Sequence, residues 1–172
     1  MQASDEMRSL LRPPVSQWIE AFNAHDVGAI VALYTDDAVL FDSGMKVARR
    51  GRSEIERWFT TRFRTIPSIR YVPNGQVFME SLQFRPPTPL PHLATAQAGG
   101  KEDAQVAVTW TTHGHGPRLL GQSWLARPFL VDGVSIFTLR DGLICQQRGY
   151  YDHLAVVEQI LPPLKWLLPA RL

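Results

Sequence analysis

The chain has 172 residues, 45% of them hydrophobic and 20% charged, which fits one domain over residues 1–172 with a self-stabilising core rather than two domains. Its formal net charge of +2 is too small to indicate a nucleic-acid partner, and its single cysteine, Cys145, excludes an internal disulfide and a zinc-finger pattern. Because residues 1–12 lack a signal-peptide core and no stretch reaches the ~20 apolar residues of a membrane span, we expect a cytoplasmic protein.

Two short amphipathic helices are predicted at the start of the chain. Pro13 and Pro14 suit the opening of a helix, and apolar side chains follow at i, i+3, i+4 and i+7, namely Val15, Trp18, Ile19 and Phe22. Residues 23–26 interrupt this pattern, and Asp26 can cap a second helix with an apolar stripe at Val27, Ile30, Val31 and Tyr34. Residues 35–37 then predict a turn, and residues 38–42 a strand that ends at Ser43-Gly44.

A third helix is predicted from Ser53, because Glu56 completes a capping box. Its buried face consists of Ile55, Trp58, Phe59 and Phe63, and the helix ends before Pro67. From there the apolar period changes from 3.6 to 2, which predicts strands near residues 69–72, 76–84, 104–113, 119–131, 134–140 and 143–151. Within this run, Arg140-Asp141-Gly142 is typical of a tight hairpin turn.

Two other segments depart from this pattern. Residues 85–103 are rich in proline and glycine, which predicts a loop insertion and a candidate lid. A short helix is predicted over residues 154–161, and the apolar C-terminal tail, residues 162–172, suits docking on the body or on a partner. Three helices followed by a long run of strands indicate an α+β domain, in which helices close one face of a strongly curved sheet and leave a cavity.

Several segments resemble a known family. Residues 18–26 (WIEAFNAHD), 30–39 (IVALYTDDAV) and 51–55 (GRSEI) resemble the opening of nuclear transport factor 2-like enzymes. Residues 131–137 (VDGVSIF), 140–144 (RDGLI) and 150–152 (YYD), with Glu158-Gln159, resemble the SnoaL-like polyketide cyclase branch, so the similarity covers nearly everything except residues 85–103 and the tail. The resemblance implies a cone-shaped fold in which a strongly curved antiparallel sheet and three N-terminal helices enclose a pocket. It also implies a homodimer that acts on a small hydrophobic molecule, with neither a metal nor an organic cofactor.

The resemblance assigns roles to single residues. In SnoaL-like cyclases an Asp near the end of the last long strand serves as acid and base in an aldol ring closure, and Asp152 is its counterpart. Asp42 stands where the base of ketosteroid isomerases lies, although Trp18 and Ser135 occupy the positions of that branch's oxyanion donors. Arg148 and Asp152 resemble part of the limonene epoxide hydrolase site, but residues 109–115 lack its Arg-x-Asp.

Each aspartate also has a purely structural interpretation. Because strand side chains alternate, Arg148, Tyr150 and Asp152 share one face, and an Asp152 carboxylate on the pocket side could exchange protons with a carbon acid. Asp152 also suits the cap of a helix that begins at His153. Asp42 is either a pocket base or an ordinary turn acceptor.

Histidines, aromatic rings and arginines complete the candidates. His113, which shares a strand face with His115, could pass a proton or orient a carbonyl, or both could be simple loop histidines; no metal site is predicted, since a third ligand is lacking. The aromatic residues expected to bind substrate, unless they only fill the core, are Trp18, Phe22, Tyr34, Trp58, Trp110, Trp124 and Tyr150. The basic residues Lys46, Arg49, Arg50, Arg52, Arg57, Arg62 and Arg64 predict either a solvated face paired with Glu54 and Glu56 or a contact with an anionic substrate or surface.

Different functions therefore remain open from the sequence. The first is a polyketide cyclase-like lyase or isomerase in which Asp152 moves a proton, assisted by Asp42 or a histidine. The second is a non-catalytic ligand-binding or dimerisation module of the same fold. An isomerase or epoxide-opening enzyme with a rearranged site is a third.

Overall fold

The computed structural model describes residues 13–80, 104–116 and 127–160. Within these ranges the helices are α1 (Val15–Ala24), α2 (Val27–Ala32), α3 (Gly51–Thr65) and α4 (His153–Ile160), and none is long and apolar enough to cross a membrane. The strands are β1 (Tyr34–Asp42), β2 (Arg49–Arg50), β3 (Arg70–Glu80), β4 (Ala104–His115), β5 (Pro128–Arg140) and β6 (Leu143–Tyr151). The predicted insertion 85–103, Trp124 and the predicted tail 162–172 lie outside the described residues.

The strands form one six-stranded sheet in the order β2-β1-β6-β5-β4-β3. Strands β3 to β6 pair with antiparallel neighbours, whereas β1 lies parallel to β6, with Asp42 opposite Gly149. The family resemblance implies an antiparallel sheet. The parallel pair forms because the chain leaves β1, crosses over through α3 and the other strands, and returns beside β1 as β6. The C-terminal ends of β1 and β6 therefore lie side by side at the same end of the sheet.

The two N-terminal helices form as predicted, but the turn after them does not. Asp26 Oδ1 accepts the Ala29 N–H at 2.9 Å and so caps α2. The turn predicted at residues 35–37 is wrong, because β1 begins at Tyr34 and runs through both aspartates. Asp36 and Asp37 form ion pairs with Arg52 and Arg140, which lets two polar residues remain in a strand.

The third helix begins at Gly51 rather than at Ser53. Gly51 has a φ of +70°, a left-handed conformation that glycine adopts at little cost. The Arg50 N–H donates to Glu54 Oε2 at 2.9 Å, so Glu54, rather than the predicted Glu56, reaches back to the residue before the helix. The predicted apolar face is confirmed at three positions, because Ile55, Phe59 and Phe63 are buried.

The predicted hairpin between β5 and β6 is confirmed. Arg140 pairs with Leu143, and the two residues between them, Asp141 and Gly142, have φ values of 52° and 74°. Two consecutive positive φ angles are typical of the turns whose twist matches that of paired strands. The register between β5 and β6 shifts once beyond this hairpin, between Thr138 and Leu139, so the hairpin alone does not decide which β6 side chains face the helices.

An aromatic core lies between the helices and the inner face of the sheet. The Trp18 ring of α1 contacts four other rings, with centroid distances of 5.2 to 6.1 Å, which belong to Phe22, Phe59, Tyr71 and Phe137. Offset and edge-to-face contacts of this kind add to the free energy gained by burial. The core thereby holds α1 and α3 against the strands and forms the floor of a cavity.

Candidate active site

Two adjoining chambers lie between the helices and the inner face of the sheet. The α1 chamber, bounded by α1, α3 and the strands, has a volume of about 40 Å³, and the α4 chamber, between α3, β4, β5 and α4, has about 110 Å³. Both are walled by the same four side chains, those of Arg62, Trp110, Thr112 and Tyr151. Neither chamber alone reaches the ~150 Å³ of an apolar cavity that admits benzene, so a ring-sized ligand would occupy both.

Asp42, the last residue of β1, lines the α1 chamber. Its side chain is 17% exposed. The facing residue on β6 is Gly149, where even an added Cβ would lie 3.6 Å from Asp42 Oδ2, so the space beside the carboxylate is open. Asp42 Oδ1 also accepts the Gly44 N–H at 2.9 Å. This placement is compatible with both interpretations of Asp42, because the same carboxylate faces the cavity and accepts a turn hydrogen bond.

Tyr151, the last residue of β6, interacts with both charged groups of the cavity. Its hydroxyl lies close enough to the Arg62 guanidinium of α3 and to the Asp42 carboxylate for both groups to act on its pKa. Burial raises the pKa of Tyr151; the Arg62 charge opposes this rise, and the Asp42 charge adds to it. The phenol is therefore protonated at neutral pH and can donate a hydrogen bond to an oxygen that becomes negatively charged.

His153, the first residue of α4, forms a polar rim where the α4 chamber meets Asp42. Its Nε2 lies 2.8 Å from Ser43 Oγ and 3.9 Å from Asp42 Oδ1, and its ring packs on Tyr151 at a centroid distance of 4.0 Å. Gly44 makes room for the ring, since a Cβ there would lie 2.2 Å from His153 Cε1. Both oxygens approach the same ring nitrogen, so these residues do not form the nucleophile–base–orienter chain of a catalytic triad.

Aromatic rings provide most of the apolar wall. Four of the predicted substrate-binding residues line the α1 chamber: Trp18, Phe22, Trp58 and Trp110. Tyr34 lies behind that wall, fully buried, where it accepts a hydrogen bond from Trp18 Nε1 at 3.0 Å and donates one to Gln147, and burial raises its pKa. Trp110 Nε1 donates to Ser135 Oγ at 3.0 Å. These bonds satisfy the buried indole N–H groups and hold the rings in place.

The sequence matches a known family across most of these elements. The family model described as a SnoaL-like domain matches residues 15–147, which is well over half of the chain. The chain belongs to this SnoaL-like family. The resemblance noted in the sequence is thereby confirmed, while no curated protein matches the chain in sequence.

Solved structures share the fold of this SnoaL-like domain at low sequence identity. A candidate SnoaL-like polyketide cyclase from Shewanella denitrificans is 15% identical, with a TM-score of 0.63 over 88% of this chain and 99% of that one. A nuclear transport factor 2-like protein of unknown function from Burkholderia pseudomallei is 14% identical, with a TM-score of 0.60 over 86% and 94%. TerC, co-crystallised with polyporic acid, is 16% identical, with a TM-score of 0.59 over 85% and 94%. These similarities confirm the nuclear transport factor 2-like α+β fold and leave the activity open.

Two residues predicted for the site of this SnoaL-like domain lie outside the cavity. On β6 the residues that line the chambers are Gln147, Gly149 and Tyr151, so Tyr150 faces the other way and is 37% exposed. Asp152 is exposed beyond the strand end, and its Oδ1 accepts the Ala155 N–H at 3.0 Å, which makes it the cap of α4. The expectation that Asp152 and Tyr150 face the pocket is therefore wrong, because the alternation along β6 starts from the opposite face.

The same alternation places His113 outside. Trp110 and Thr112 of β4 line the cavity, whereas His113 is exposed on the opposite face, beside His115 as predicted. Arg148, one residue from Gly149, likewise belongs to the outer face of β6. Among the described residues, no three His, Cys, Asp or Glu side chains are arranged to hold a metal ion.

The site also contains residues that sequence reasoning missed or left undecided. Tyr151 is adjacent to the predicted Tyr150, and the sequence offers no signal that distinguishes the two. The sequence indicates His153 only as the start of a helix. Arg62 belongs to a basic run, and its position one helical turn from Trp58 and Phe59 is the signal that it can face the same cavity.

Proposed function

We propose that this SnoaL-like domain is an enzyme that moves protons on a small, hydrophobic, carbonyl-bearing molecule, in a cyclisation of the aldol type or an isomerisation. One observation carries the proposal: a carboxylate, a phenol and a guanidinium converge on one aromatic cavity, as Asp42, Tyr151 and Arg62. In this proposal Asp42 replaces Asp152 as the proton-moving residue, since Asp152 caps α4 in solvent.

The chemistry follows from the positions of these groups. The Asp42 carboxylate removes a proton from the carbon next to the carbonyl, and the electron pair of the C–H bond passes to the carbonyl oxygen to form an enolate. The Tyr151 hydroxyl donates a hydrogen bond to that oxygen, with the positive charge of Arg62 behind it. In a cyclisation the enolate carbon then attacks a second carbonyl of the same molecule, and the protonated Asp42 returns the proton to the new alkoxide. In an isomerisation the proton returns to another carbon.

The cavity wall contributes positioning. Four aromatic rings restrict a small substrate to few orientations, which lowers the entropic cost of ring closure. The Tyr71 ring belongs to the same wall, and its hydroxyl is buried near Ser135 without a well-formed hydrogen bond among the described residues. Because this hydroxyl is not accessible, Tyr71 contributes its ring to the wall.

Exchange of α-protons tests the proposal without knowledge of the natural substrate. 2-Indanone is ring-sized and hydrophobic, and its α-protons exchange with D₂O only when a base removes them. We expect wild-type protein to accelerate this exchange, and Asp42→Asn to lower the acceleration by about 10²-fold or more, the usual contribution of a general base. The rate is read from the loss of the α-proton signal in ¹H NMR.

Asp152→Asn is the matched control, since it alters a carboxylate in solvent and leaves the cavity intact. It should exchange 2-indanone at the wild-type rate. A wild-type protein without acceleration, a fully active Asp42→Asn protein, or an inactive Asp152→Asn protein would each contradict the proposal.

A second candidate is a ligand-binding module without catalysis, because the aromatic wall of the α1 chamber would hold a ring-sized molecule whether or not a proton is moved. Both chambers, of about 40 and 110 Å³, are smaller than the ~300 Å³ and more of typical ligand sites, so either candidate requires a small ligand. This alternative expects binding of a ring-sized molecule with no acceleration of exchange in any variant, so the same NMR experiment separates it from the enzyme.

We also propose the homodimer that the family resemblance implies, formed through the outer face of the sheet. Apolar side chains support it there, because Val72 and Tyr150 are each 37% exposed on that face. Sedimentation equilibrium tests this proposal: a dimer mass that falls to the monomer mass on Tyr150→Glu is expected, and a wild-type monomer would refute it.

A further inference from the structure

Arg62 differs from the other arginines whose ion pairs the structure gives. Arg52 lies 3.1 Å from Asp36, and Arg140 pairs with Asp37. Among the described residues, by contrast, no carboxylate oxygen lies within 4.0 Å of the Arg62 guanidinium nitrogens. The Arg62 side chain is half-buried and lines both chambers. Among the described residues, this positive charge at the cavity wall therefore has no direct ion pair with a carboxylate.

Two uncharged groups lie next to Arg62 among the described residues. Its Cζ lies 5.7 Å from the centre of the Trp58 ring, and its guanidinium lies close enough to the neutral Tyr151 hydroxyl to lower the pKa of that group. A cation–π contact and a phenol hold a guanidinium in place but leave its donors available for an anion. Carboxylates match the planar, two-pronged geometry of arginine.

We propose that Arg62 binds a carboxylate group of the substrate. This inference rests on the proposed function, because it assigns the substrate of the same cavity: a ring-sized, hydrophobic keto acid. The carboxylate lies against Arg62, the ring occupies the aromatic wall, and the carbonyl oxygen faces Tyr151. The Tyr151 hydroxyl lies near both Arg62 and Asp42, so in this proposal Asp42 removes a proton while the substrate carboxylate stays at the guanidinium.

The structural alternative is that Arg62 only stabilises the end of α3. Arg62 and Arg64 both lie in the last turn of that helix, where a positive charge interacts favourably with the helix dipole. Arg64 is exposed and does not line the chambers, so it offers the same charge in the same turn without access to the cavity. Arg64→Gln is therefore the matched control for Arg62→Gln.

Paired titrations with benzoate and benzamide test the proposal. The two probes share shape and ring and differ in charge, and each is followed by NMR through the indole N–H signals of Trp18 and Trp110. We expect the wild-type protein to bind benzoate about tenfold or more tightly than benzamide, as a charge-assisted hydrogen bond predicts. Arg62→Gln should abolish this preference by weakening the binding of benzoate much more than that of benzamide, whereas Arg64→Gln should keep it.

Two further variants keep the test decisive. Arg62→Lys replaces Arg62→Gln if that protein misfolds, and Asp42→Asn distinguishes a failure of this proposal from a failure of the enzymatic one. If Arg62→Gln does not fold, Arg62→Lys should still prefer benzoate, because it keeps the charge. Asp42→Asn should bind benzoate at least as well as wild type while losing 2-indanone exchange, so binding and catalysis fail separately. The proposal would be overturned if the wild-type protein bound the two probes equally or did not bind benzoate. It would also be overturned if Arg62→Gln and Arg64→Gln lost the preference for benzoate equally, or if Arg62→Lys lost it.

Discussion

Two aspartates follow neighbouring strands of the sheet and meet opposite environments. Asp42 ends β1 and faces the cavity with its side chain 17% exposed, whereas Asp152 follows β6 and is exposed to solvent. Both accept a backbone N–H, from Gly44 at 2.9 Å and from Ala155 at 3.0 Å. A capping hydrogen bond thus does not distinguish a functional carboxylate from a structural one. The face on which the chain leaves its strand does.

The largest expected effect concerns the two tyrosines that precede Asp152, and it is an effect on the rate of 2-indanone exchange. Tyr151 faces the cavity as Asp42 does, whereas Tyr150 faces away from it. Tyr151→Phe removes the hydroxyl beside Asp42 and should lower the rate of 2-indanone exchange about 10²-fold, the usual loss for one donor to a developing oxyanion. Tyr150→Phe alters the same group on the outer face and should leave the rate unchanged. Equal rates in the two variants would remove Tyr151 from the mechanism.

The pH dependence of that rate gives a second readout of the Tyr151 prediction. Burial raises the pKa of Tyr151 above its ordinary value of 10.0, so the phenol is still more than half protonated at pH 10. In the wild type, the midpoint of any alkaline loss of rate, corrected for the exchange without protein, should therefore lie above pH 10. An alkaline loss centred below pH 10 that Tyr151→Phe lacks would contradict this assignment.

The sequence does not predict which residue of an adjacent pair, such as Tyr150 and Tyr151, faces the cavity. The helices, the hairpin at residues 140–142 and the α+β class follow from apolar periodicity and turn residues, which are local properties of the chain. Alternation along a strand states that Tyr150 and Tyr151 face opposite ways, but not which of them faces the helices. That choice depends on the packing of β6 against β1 and α3, which no local pattern contains. For the same reason the sequence indicates His113 as a candidate catalytic residue, although its neighbour Thr112 lines the cavity.

An intermediate effect concerns stability. Here we expect the larger loss at Asp152, whereas for activity we expect it at Asp42. Asp152→Ala removes the cap of α4 and should lower the free energy of unfolding by about 1 kcal/mol. Asp42→Asn keeps an acceptor for the Gly44 N–H and should change it by less than about 0.5 kcal/mol. Urea denaturation followed by circular dichroism measures both. A larger loss for Asp42→Asn would mean that Asp42 is mainly structural, against the proposed role.

The smallest expected effect extends the comparison to Asp36 and Asp37, adjacent on β1. The hydrogen bond from Arg140 lowers the pKa of Asp37 below its usual 3.8, and the Asp37 and Arg140 side chains are 45% and 13% exposed. A depressed pKa in the folded state stabilises the protein above the unfolded-state pKa, and this contribution is lost as the pH falls through the folded-state value.

Asp37→Asn should therefore lower the free energy of unfolding by up to ~1 kcal/mol at pH 7, and the difference from wild type should shrink as the pH falls below 3.8. Asp36→Asn is the control, because the Asp36 side chain is 92% exposed and its pair with Arg52 is screened by solvent. It should leave stability unchanged at either pH. If both variants lose the same free energy at pH 7, proximity to an arginine alone stabilises β1. If only Asp37→Asn lowers the free energy of unfolding, the burial of its partner Arg140 decides the effect. Burial likewise distinguishes Asp42, which lines the cavity, from Asp152, which is exposed.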